Sequence, residues 1–400
     1  MKKTVCELFA GVGGFRLGLE KSSKEWETVW FSQWEPGAKK QWAHECYTIH
    51  FGDVDGNTGK DIAEVNKKDI PDHNLLVGGF PCQDYSVARP LPGSKGLQGQ
   101  KGVLWWQIRD TLETKKTPFG LLENVDRLLK SPASQRGRDF GVMLACLADL
   151  GYSAEWRVVN AAEYGAAQRR RRTFIFIYRN ETKYGKSMEY AEPYNVMRFD
   201  GFFARTFPIK DFSERIKTIS LNYKDIPDVS DVFKFDFENA GYMTKGNIYT
   251  INVSPVEETP ITLGDIVQED AAEQYYLSGE KLEKFEYLKG SKRIERTSAT
   301  GHTYTFSEGA IAYPDPLDKP ARTMLTSEGT TNRSTHVIRD PQNGKLRLLT
   351  PLETERIQGF KDNWTSMMPD RMRYFCMGNA LVVPMITRMG KTLNKIFEQE

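Results

Sequence analysis

Short apolar runs alternate with amphipathic segments over the first ~180 residues, which is typical of a parallel sheet covered by helices. Within this region, apolar residues recur at spacings of three and four from Phe140 to Leu150, which predicts a helix ended by Gly151. The predicted strands are Val5–Phe9, Thr28–Ser32, Leu75–Val77, Leu121–Leu122 and Thr173–Tyr178. The pattern therefore predicts an α/β domain with a mostly parallel, doubly wound sheet.

The middle of the chain has a different composition. Residues 186–345 are rich in Thr, Ser, Asn, Asp, Gly and Pro, and their apolar runs are short, apart from one predicted helix at Ser278–Leu288. Helical periodicity returns at Thr350–Gly359 and from Pro384 to Phe397. We therefore expect a first domain formed by residues 1–185 and 346–400, with the terminal helix packed on it, and a second, smaller, irregular β-rich domain at 186–345.

Composition narrows the class of protein. Hydrophobic residues make up 39% and charged residues 27% of the 400 residues, as in a globular protein and unlike a disordered, collagen-like or coiled-coil chain. The chain has no apolar run of membrane-spanning length, and an acid follows soon after Met1, so we expect no membrane span, no secretory signal and a cytoplasmic location. The net charge of +2 does not identify a partner, whereas the four consecutive arginines from Arg169 to Arg172 form a local basic cluster.

The cysteines favour neither a metal site nor a disulfide framework. The chain has five of them, widely spaced and without a C-x-x-C pair, and they are Cys6, Cys46, Cys82, Cys146 and Cys376. We therefore expect reduced thiols and no metal ion.

A glycine-rich turn follows the first predicted strand. In the stretch from Glu7 to Arg16, Gly11, Gly13 and Gly14 precede a predicted helix at Phe15–Glu20, so the backbone can approach a ligand closely. A dinucleotide fingerprint requires a third glycine where this chain has Arg16, which disfavours a pyrophosphate and leaves open a cofactor with adenosine but no phosphates. Glu35 follows the second strand, where an acid can bind ribose hydroxyls. A plain strand–turn–helix without a ligand also remains open.

A second motif presents a cysteine at the end of a strand. The stretch from Leu75 to Ser86 breaks at two glycines and places Cys82 at the start of a polar loop. Such a thiol is suited to nucleophilic attack, whereas Cys6 and Cys146 match inert core residues. By context alone, an inert Cys82 is equally acceptable.

Two further stretches carry charge at strand ends. An apolar strand runs into Glu123 in the sequence Gly120-Leu-Leu-Glu-Asn-Val125, and a basic run, Gln168-Arg-Arg-Arg-Arg172, enters another strand. Parallel-sheet enzymes keep their sites at strand ends, although a helix cap or a solvated charged edge would also account for these residues.

Together these stretches resemble the cytosine-C5 DNA methyltransferases, with F-A-G-x-G-G, G-F-P-C-Q, E-N-V and Q-R-R-x-R in order. The resemblance continues from Arg347 to Phe360 and in Gly378-Asn379-Ala380. It covers most of residues 5–180 and 345–385, and it implies a Rossmann-like methyltransferase domain that uses S-adenosylmethionine, releases S-adenosylhomocysteine and needs no metal.

The resemblance also implies roles for individual residues. Cys82 matches the nucleophile that attacks C6 of cytosine. Glu123 matches the residue that holds N3 and the exocyclic amine of the base. Arg170 and Arg172 match the two arginines near O2. No residue is assigned as the base for the C5 proton, which water can accept. The substrate contacts that it implies are Gln83, Ser86, Asn124, Val125 and Gln168. The cofactor contacts are Phe9, Ala10, Gly11, Gly13, Gly14, Glu35, Asp61, Ile62, Leu104 and Asn379. One departure is Pro36, where relatives can carry an aromatic residue against adenine.

A base inside a duplex is out of reach of such a site, so the resemblance implies that the target cytosine flips out. Residues 83–102 would then form a lid, and 186–345 a target-recognition domain, in which Ser291–His302 and Leu325–Arg333 are candidates for reading base edges. The partners implied are double-stranded DNA and a restriction endonuclease that acts independently, with a monomeric enzyme and no membrane.

Two alternatives remain. A tRNA cytosine methyltransferase shares these motifs, but the long middle segment favours duplex DNA. A DNA-binding regulator with a decayed site is disfavoured because Cys82, Glu123, Arg170 and Arg172 are all present. Strand periodicity predicts in addition that Arg170 and Arg172 share a face with Gln168, while Arg169 and Arg171 point away.

Overall fold

A computed structural model describes residues 1–54, 58–80, 104–298 and 301–400. These residues form two compact units. The first unit comprises Met1–Tyr164, Arg171–Glu258 and Leu381–Glu400, and the second comprises Gly165–Arg170 and Thr259–Ala380.

The strands of the first unit are β1 (Thr4–Leu8), β2 (Glu27–Ser32), β3 (Leu75–Gly79), β4 (Phe119–Val125), β5 (Tyr152–Asn160), β6 (Arg171–Arg179), β7 (Ile209–Phe212), β8 (Lys217–Ser220), β9 (Ala240–Thr244), β10 (Asn247–Ile251) and β11 (Val253–Pro255). Those of the second unit are β12 (Lys292–Thr297), β13 (Thr303–Glu308), β14 (Val337–Arg339) and β15 (Leu346–Leu348).

The α-helices are α1 (Gly14–Ser22), α2 (Trp42–Phe51), α3 (Leu104–Lys115), α4 (Arg138–Asp149), α5 (Lys183–Tyr190), α6 (Pro193–Asn195), α7 (Phe202–Thr206), α8 (Ile226–Val232), α9 (Leu263–Ile266), α10 (Glu280–Lys289), α11 (Pro351–Gln358), α12 (Asp370–Asn379) and α13 (Val383–Gln399). Of these, α9 to α12 belong to the second unit.

A nine-stranded sheet organises the first unit, in the order β2-β1-β3-β4-β6-β5-β9-β10-β8. The four strands β2, β1, β3 and β4 are parallel, and all pairings from β4 onward to β8 are antiparallel. The predicted α/β, Rossmann-like class is confirmed, but the expectation of a mostly parallel sheet is wrong, because the sheet is mixed. The connections explain why: the segment between β5 and β6 is too short for a crossover, and Lys245 and Gly246 form a two-residue hairpin turn with positive φ.

The predicted strands and helices all occur, with ends that differ by a few residues. The helix predicted from Phe140 to Leu150 is α4, and Gly151 follows its end with a φ of 80°. At α11, Thr350 and Glu353 form a capping box, Pro351 occupies the first turn and Gly359 ends the helix in the left-handed region. Among the described elements, the pattern missed strand β5 and the helices α2, α3, α5 to α9 and α12.

Helix α13 packs against α1 within the first unit. A Cβ atom on Gly18 would come within 2.5 Å of the Ile386 side chain, so the glycine permits a close approach of the two helices. The Trp26 indole N–H donates to the side-chain oxygen of Asn394 at 2.9 Å, and the Trp26 ring lies edge-on to Phe397.

The two units divide the chain differently from the predicted domains. Residues 186–258 lie in the first unit, where β8, β9 and β10 extend the sheet, whereas 346–380 lie in the second. The assignment of 186–345 to target recognition stays a prediction. Among the helices of the described ranges, none has both the length and the apolar composition that a bilayer crossing requires.

Candidate active site

The glycine-rich turn after β1 adopts the backbone that its sequence predicts. Phe9, Gly11 and Gly13 have φ values of 55°, 56° and 88°. At Gly13, a Cβ atom would also come within 2.4 Å of the Phe51 ring, so both conformation and space require glycine there. At Gly11, a Cβ atom would meet nothing within 4 Å, so the turn borders open space on that side.

This turn is fixed against the end of β2. The Ala10 amide donates to the Ser32 carbonyl at 2.9 Å, and the Gly11 amide donates to the side-chain oxygen of Gln33 at 2.7 Å. Sequence reasoning did not select Gln33. The available signal was a polar side chain directly after a buried strand end, two residues before Glu35.

Glu35 is half-buried, and its backbone is held by Gln41. The Gln41 side-chain oxygen accepts from the Glu35 amide at 2.7 Å, and its nitrogen donates to the Glu35 carbonyl at 2.9 Å. Burial raises the pKa of the Glu35 carboxyl, and no described residue donates a hydrogen bond to it. A carboxylate in this condition has acceptor capacity for the hydroxyl groups of a ligand.

Three of the predicted cofactor contacts belong to one apolar cluster. Ile62 is buried in it, and Phe9 and Leu104 pack against it as partly buried side chains. The neighbouring Asp61 accepts from the Ala63 amide at 2.9 Å. Of the remaining predicted contacts, Ala10 and Gly14 are buried in the turn, and Asn379 is exposed at the end of α12 in the second unit. Pro36, the departure from the family pattern, is exposed beside Glu35.

Glu123 and Arg172 form an ion pair across β4 and β6. The guanidinium Nε lies 2.9 Å from Oε1 of Glu123, and both side chains are largely buried, with 18% and 13% of their surfaces exposed. The Nη1 atom of Arg172 donates to the Arg171 carbonyl at 2.7 Å. Within the described ranges, Nη2 has no hydrogen-bond partner. Glu123 is also the register partner of Gly79, the last residue of β3.

The predicted nucleophile follows β3 in the chain. Cys82, Gln83 and Ser86 lie outside the described residues, as does the predicted lid at 83–102. The backbone leading to Cys82 is described as far as Phe80, whose carbonyl accepts from the Asn124 side chain at 2.9 Å. The Asn124 side-chain oxygen accepts from the Val125 amide at 2.8 Å. Asn124 therefore ties the ends of β3 and β4 together.

Burial alternates along the arginine run. Arg170 is buried and Arg172 largely so, whereas Arg169 and Arg171 are exposed. Arg171 lies 3.4 Å from Asp126, and both side chains of that pair are well exposed. Because β6 begins only at Arg171, strand periodicity does not explain the burial of Arg170, and the predicted common face of Gln168, Arg170 and Arg172 stays a prediction.

Arg170 and Gln168 tie the second unit together. The Arg170 guanidinium donates to the carbonyls of Met324 at 3.0 Å and Gly378 at 2.9 Å. Gln168 is fully buried, accepts from the Met324 amide at 2.9 Å, and donates to Gln358 at 3.3 Å. Gln358 in turn donates to the carbonyls of Met377 and Ala380, a role that sequence reasoning missed. These contacts are structural, and the predicted substrate roles of Arg170 and Gln168 stay predictions.

The four cysteines that the structure describes, Cys6, Cys46, Cys146 and Cys376, are buried and form no disulfide. Burial raises the pKa of the Cys6 thiol strongly and that of Cys146 to about 11, so neither is a thiolate at neutral pH. In the part of the chain that the structure describes, no group of three or more His, Cys, Asp or Glu side chains could hold a metal ion.

Comparisons with known proteins identify the family. A family model of C-5 cytosine-specific DNA methylases matches residues 3–395. The chain is 51% identical to the Type II methyltransferase M.Sau3AI of Staphylococcus aureus over 400 residues, 99% of this chain and 96% of the relative. It is 32% identical to the Type II methyltransferase M.HhaI of Haemophilus parahaemolyticus over 193 residues, 48% of this chain and 54% of the relative. The chain therefore belongs to the C-5 cytosine-specific DNA methylases and is a DNA cytosine-5 methyltransferase.

Solved structures agree at the level of the fold. A DNMT2 variant from Spodoptera frugiperda matches with a TM-score of 0.59 and 14% identity, covering 98% of this chain and 99% of that one. The Dnmt2 methyltransferase of S. pombe gives the same TM-score and identity over 99% and 98% of the two chains. These two matches confirm the predicted fold, whereas the family model and the 51% identical relative confirm the family resemblance that the motifs indicated.

Proposed function

We propose that the enzyme transfers a methyl group from S-adenosylmethionine to C5 of a cytosine flipped out of duplex DNA, through a covalent adduct between Cys82 and C6. The observation that carries this proposal is the ion pair of Glu123 and Arg172. It lies at the carboxyl edge of the parallel strands, opposite the last residue of β3, and Cys82 follows three positions later in the chain. Open α/β sheets bind their ligands at this edge.

Cys82 activates the base. Its thiolate adds to C6, and the electron pair of the C5–C6 double bond moves into the ring, so that C5 becomes nucleophilic. After C5 has gained a methyl group, the C5 proton passes to a base, for which water suffices. The electron pair left behind re-forms the C5–C6 double bond and expels the thiolate, which regenerates the enzyme.

Glu123 and Arg172 stabilise the charge that develops on the ring. The Glu123 carboxyl accepts from the exocyclic amine and, when it carries a proton, donates it to N3 as the adduct forms, and Arg172 fixes its orientation through the 2.9 Å contact. Nε of Arg172 contacts Glu123 and Nη1 donates one hydrogen to the Arg171 carbonyl, so Nη2, which has no described partner, can donate to O2 of the cytosine. Such preorganised donors act mainly on the transition state.

The residues of the first unit fit S-adenosylmethionine. The turn at Phe9–Gly14 borders open space, the Glu35 carboxyl has no described partner, and Phe9, Ile62 and Leu104 offer an apolar surface for an adenine ring. Glu35 would bind the ribose hydroxyls and Asp61 the adenine edge. When bound, the cofactor supplies an electrophilic methyl group and leaves as S-adenosylhomocysteine.

Duplex DNA is the proposed substrate, and residues 186–345 the segment that selects its sequence. The likeness to the Type II methyltransferase M.Sau3AI over almost the whole chain supports a role in restriction-modification, beside an endonuclease that acts independently. We propose that the enzyme works as a monomer in the cytoplasm.

A comparison of DNA and tRNA as substrates distinguishes this proposal from the alternative of a tRNA methyltransferase. The purified protein is incubated with S-adenosylmethionine and either plasmid DNA or total tRNA, and bisulfite sequencing of each locates 5-methylcytosine. We expect methylation of plasmid cytosines in one sequence context and none in tRNA. Methylation confined to tRNA, or methylation of neither substrate, would contradict the proposal.

A further inference from the structure

A two-stranded ribbon stands out in the second unit. It consists of β12 and β13, six residues each, paired antiparallel from Lys292 opposite Glu308 to Thr297 opposite Thr303. A two-stranded hairpin is only marginally stable in water unless one face is packed. The two faces of this ribbon are accordingly different.

One face of the ribbon is polar at every position. Residues opposite one another share a face, so the register places three cross-strand pairs on the outer face, and all six side chains are exposed. These pairs are Arg293 with Ser307, Glu295 with Thr305, and Thr297 with Thr303. In the described ranges, neither Arg293 nor Glu295 has an ion-pair or hydrogen-bond partner for its side chain.

The inner face holds the ribbon together. Ile294 and Phe306 are half-buried opposite each other, and the Arg296 guanidinium lies 3.9 Å from the centroid of the Phe306 ring. Beside them, the Lys292 ammonium lies 4.4 Å from the Tyr287 ring centroid. The end pair of this face, Arg296 and Tyr304, is exposed, but its other four side chains are half-buried, whereas all six of the outer face are exposed.

Both ends of the ribbon are fixed. At its base, Arg333 donates to the carbonyls of Gly290 and Gly309, the residues that lie just before β12 and just after β13. At its tip, the Ser298 amide donates to the His302 carbonyl at 2.8 Å. The outer face is therefore presented on a preorganised support, which lowers the entropic cost of binding.

We infer that the outer face of this ribbon enters the major groove of duplex DNA, where Arg293 and Glu295 read base edges. The inference rests on the proposed function, because it requires a DNA substrate. Each strand is about 20 Å long and the strands lie about 4.8 Å apart. A major groove about 12 Å wide admits a two-stranded ribbon.

The charges on this face favour base reading over phosphate binding. A phosphate-binding surface gains affinity from uniform positive charge, and phosphates repel a carboxylate. Here one cation and one anion stand two residues apart with four hydroxyls. Arginine pairs with O6 and N7 of guanine, and glutamate accepts from N4 of cytosine, so Arg293 and Glu295 match the two bases of G·C pairs.

Sequence profiles of variants test the inference. Arg293→Ala, Glu295→Gln and the parent enzyme are incubated with S-adenosylmethionine and a library of duplexes that carry randomised base pairs around a central cytosine, and bisulfite sequencing reads the product. We expect each variant to lose preference at one or two positions by about 10- to 100-fold, with the other positions unchanged. Lys284→Ala, an exposed α10 position in the same unit, is the matched control and should keep the parent profile.

The outcomes separate the two proposals. If the parent methylates the library in a defined context and both ribbon variants keep that context, the ribbon does not read bases, even if their rates fall. If the parent methylates no duplex, the proposed function itself fails. Because both substituted side chains are exposed, melting temperatures within about 2 °C of the parent should accompany an altered profile.

Discussion

Nε of Arg172 lies 2.9 Å from Oε1 of Glu123, although the two residues are not direct partners in the pairing of β4 and β6. The register places Arg172 opposite Val125 and Glu123 opposite Phe174, so the guanidinium reaches diagonally across the two strands. Since both side chains are largely buried, each limits the positions that the other can take. The pair therefore holds a hydrogen-bond acceptor and a hydrogen-bond donor in fixed positions at the carboxyl edge of the sheet. The proposed nucleophile, Cys82, follows β3 at the same edge in the chain.

Loss of Arg172 should slow the chemical step. We expect Arg172→Ala to lower the single-turnover methylation rate at saturating DNA by about 100-fold, because a preorganised donor to the activated ring is removed. Arg171→Ala, next to it but exposed, is the matched control and should cost less than about 3-fold. Equal losses for both variants, restored by lowering the salt concentration, would indicate a general basic patch instead.

Arg170 should affect stability first. Its guanidinium bonds two carbonyls in the second unit, so Arg170→Ala leaves two buried acceptors without a partner, at a cost of about 1–3 kcal/mol each. Urea denaturation should show this loss, whereas Arg169→Ala, with an exposed side chain, should unfold like the parent. Unchanged stability of the Arg170 variant would show that these contacts contribute nothing measurable.

Glu35 should control cofactor affinity. Removal of a carboxylate that binds two ribose hydroxyls costs about 1.5–3 kcal/mol, so we expect Glu35→Ala to weaken binding of S-adenosylhomocysteine by about 10- to 100-fold in titration calorimetry. Glu45→Ala on α2, where the side chain pairs with Lys40 at the surface, is the control and should bind normally. Normal binding by the Glu35 variant would remove this residue from the cofactor site.

Glu7 should make stability depend on pH. It is fully buried beside the Tyr47 hydroxyl, and burial raises its pKa from 4.5 to about 7. The folded state therefore holds a proton that the unfolded chain has released, so stability falls as the pH rises from about 4.5 to 7, by up to about 1.4 kcal/mol per unit. Because Gln resembles the protonated acid, Glu7→Gln should lose this part of the slope in urea denaturation. Glu283→Gln, at an exposed α10 position, should keep it, and identical slopes in all three proteins would contradict the assignment.

The sequence predicted elements whose determinants are local. Strand β6 was visible as an uninterrupted apolar and aromatic run, and α11 from its capping residues. Strand β5 was missed because Glu155 and Arg157 interrupt its apolar pattern. Their partners are distant in the chain: Glu155 accepts from the Tyr184 hydroxyl at 2.7 Å, and Arg157 donates to the Met197 carbonyl at 3.0 Å.

The residues of the candidate site were likewise predictable from the sequence only where their determinants are local. Motif order and strand periodicity selected Glu123, Arg172 and the glycine turn, whose spacing is local. The carbonyl partners of Arg170 are 154 and 208 residues away, so no local pattern could reveal that this arginine joins segments of the second unit. The sequence pattern also did not predict that residues 240–251 join the main sheet. A Cβ atom at Gly241 would overlap the Trp156 ring, so the packing of this segment depends on a residue that is distant in the chain.

Covalent trapping tests the central claim most directly. A duplex that carries 5-fluorocytosine at the target position is incubated with the enzyme and S-adenosylmethionine, and the denatured complex is digested and analysed by mass spectrometry. Because fluorine cannot leave C5 as a proton does, the adduct should accumulate, with the base linked to the peptide that contains Cys82. The Cys82→Ala variant should form no adduct and transfer no methyl group, while it still binds the duplex. A Cys82→Ala enzyme that methylates cytosine at the normal rate, or an adduct at another residue, would contradict the account.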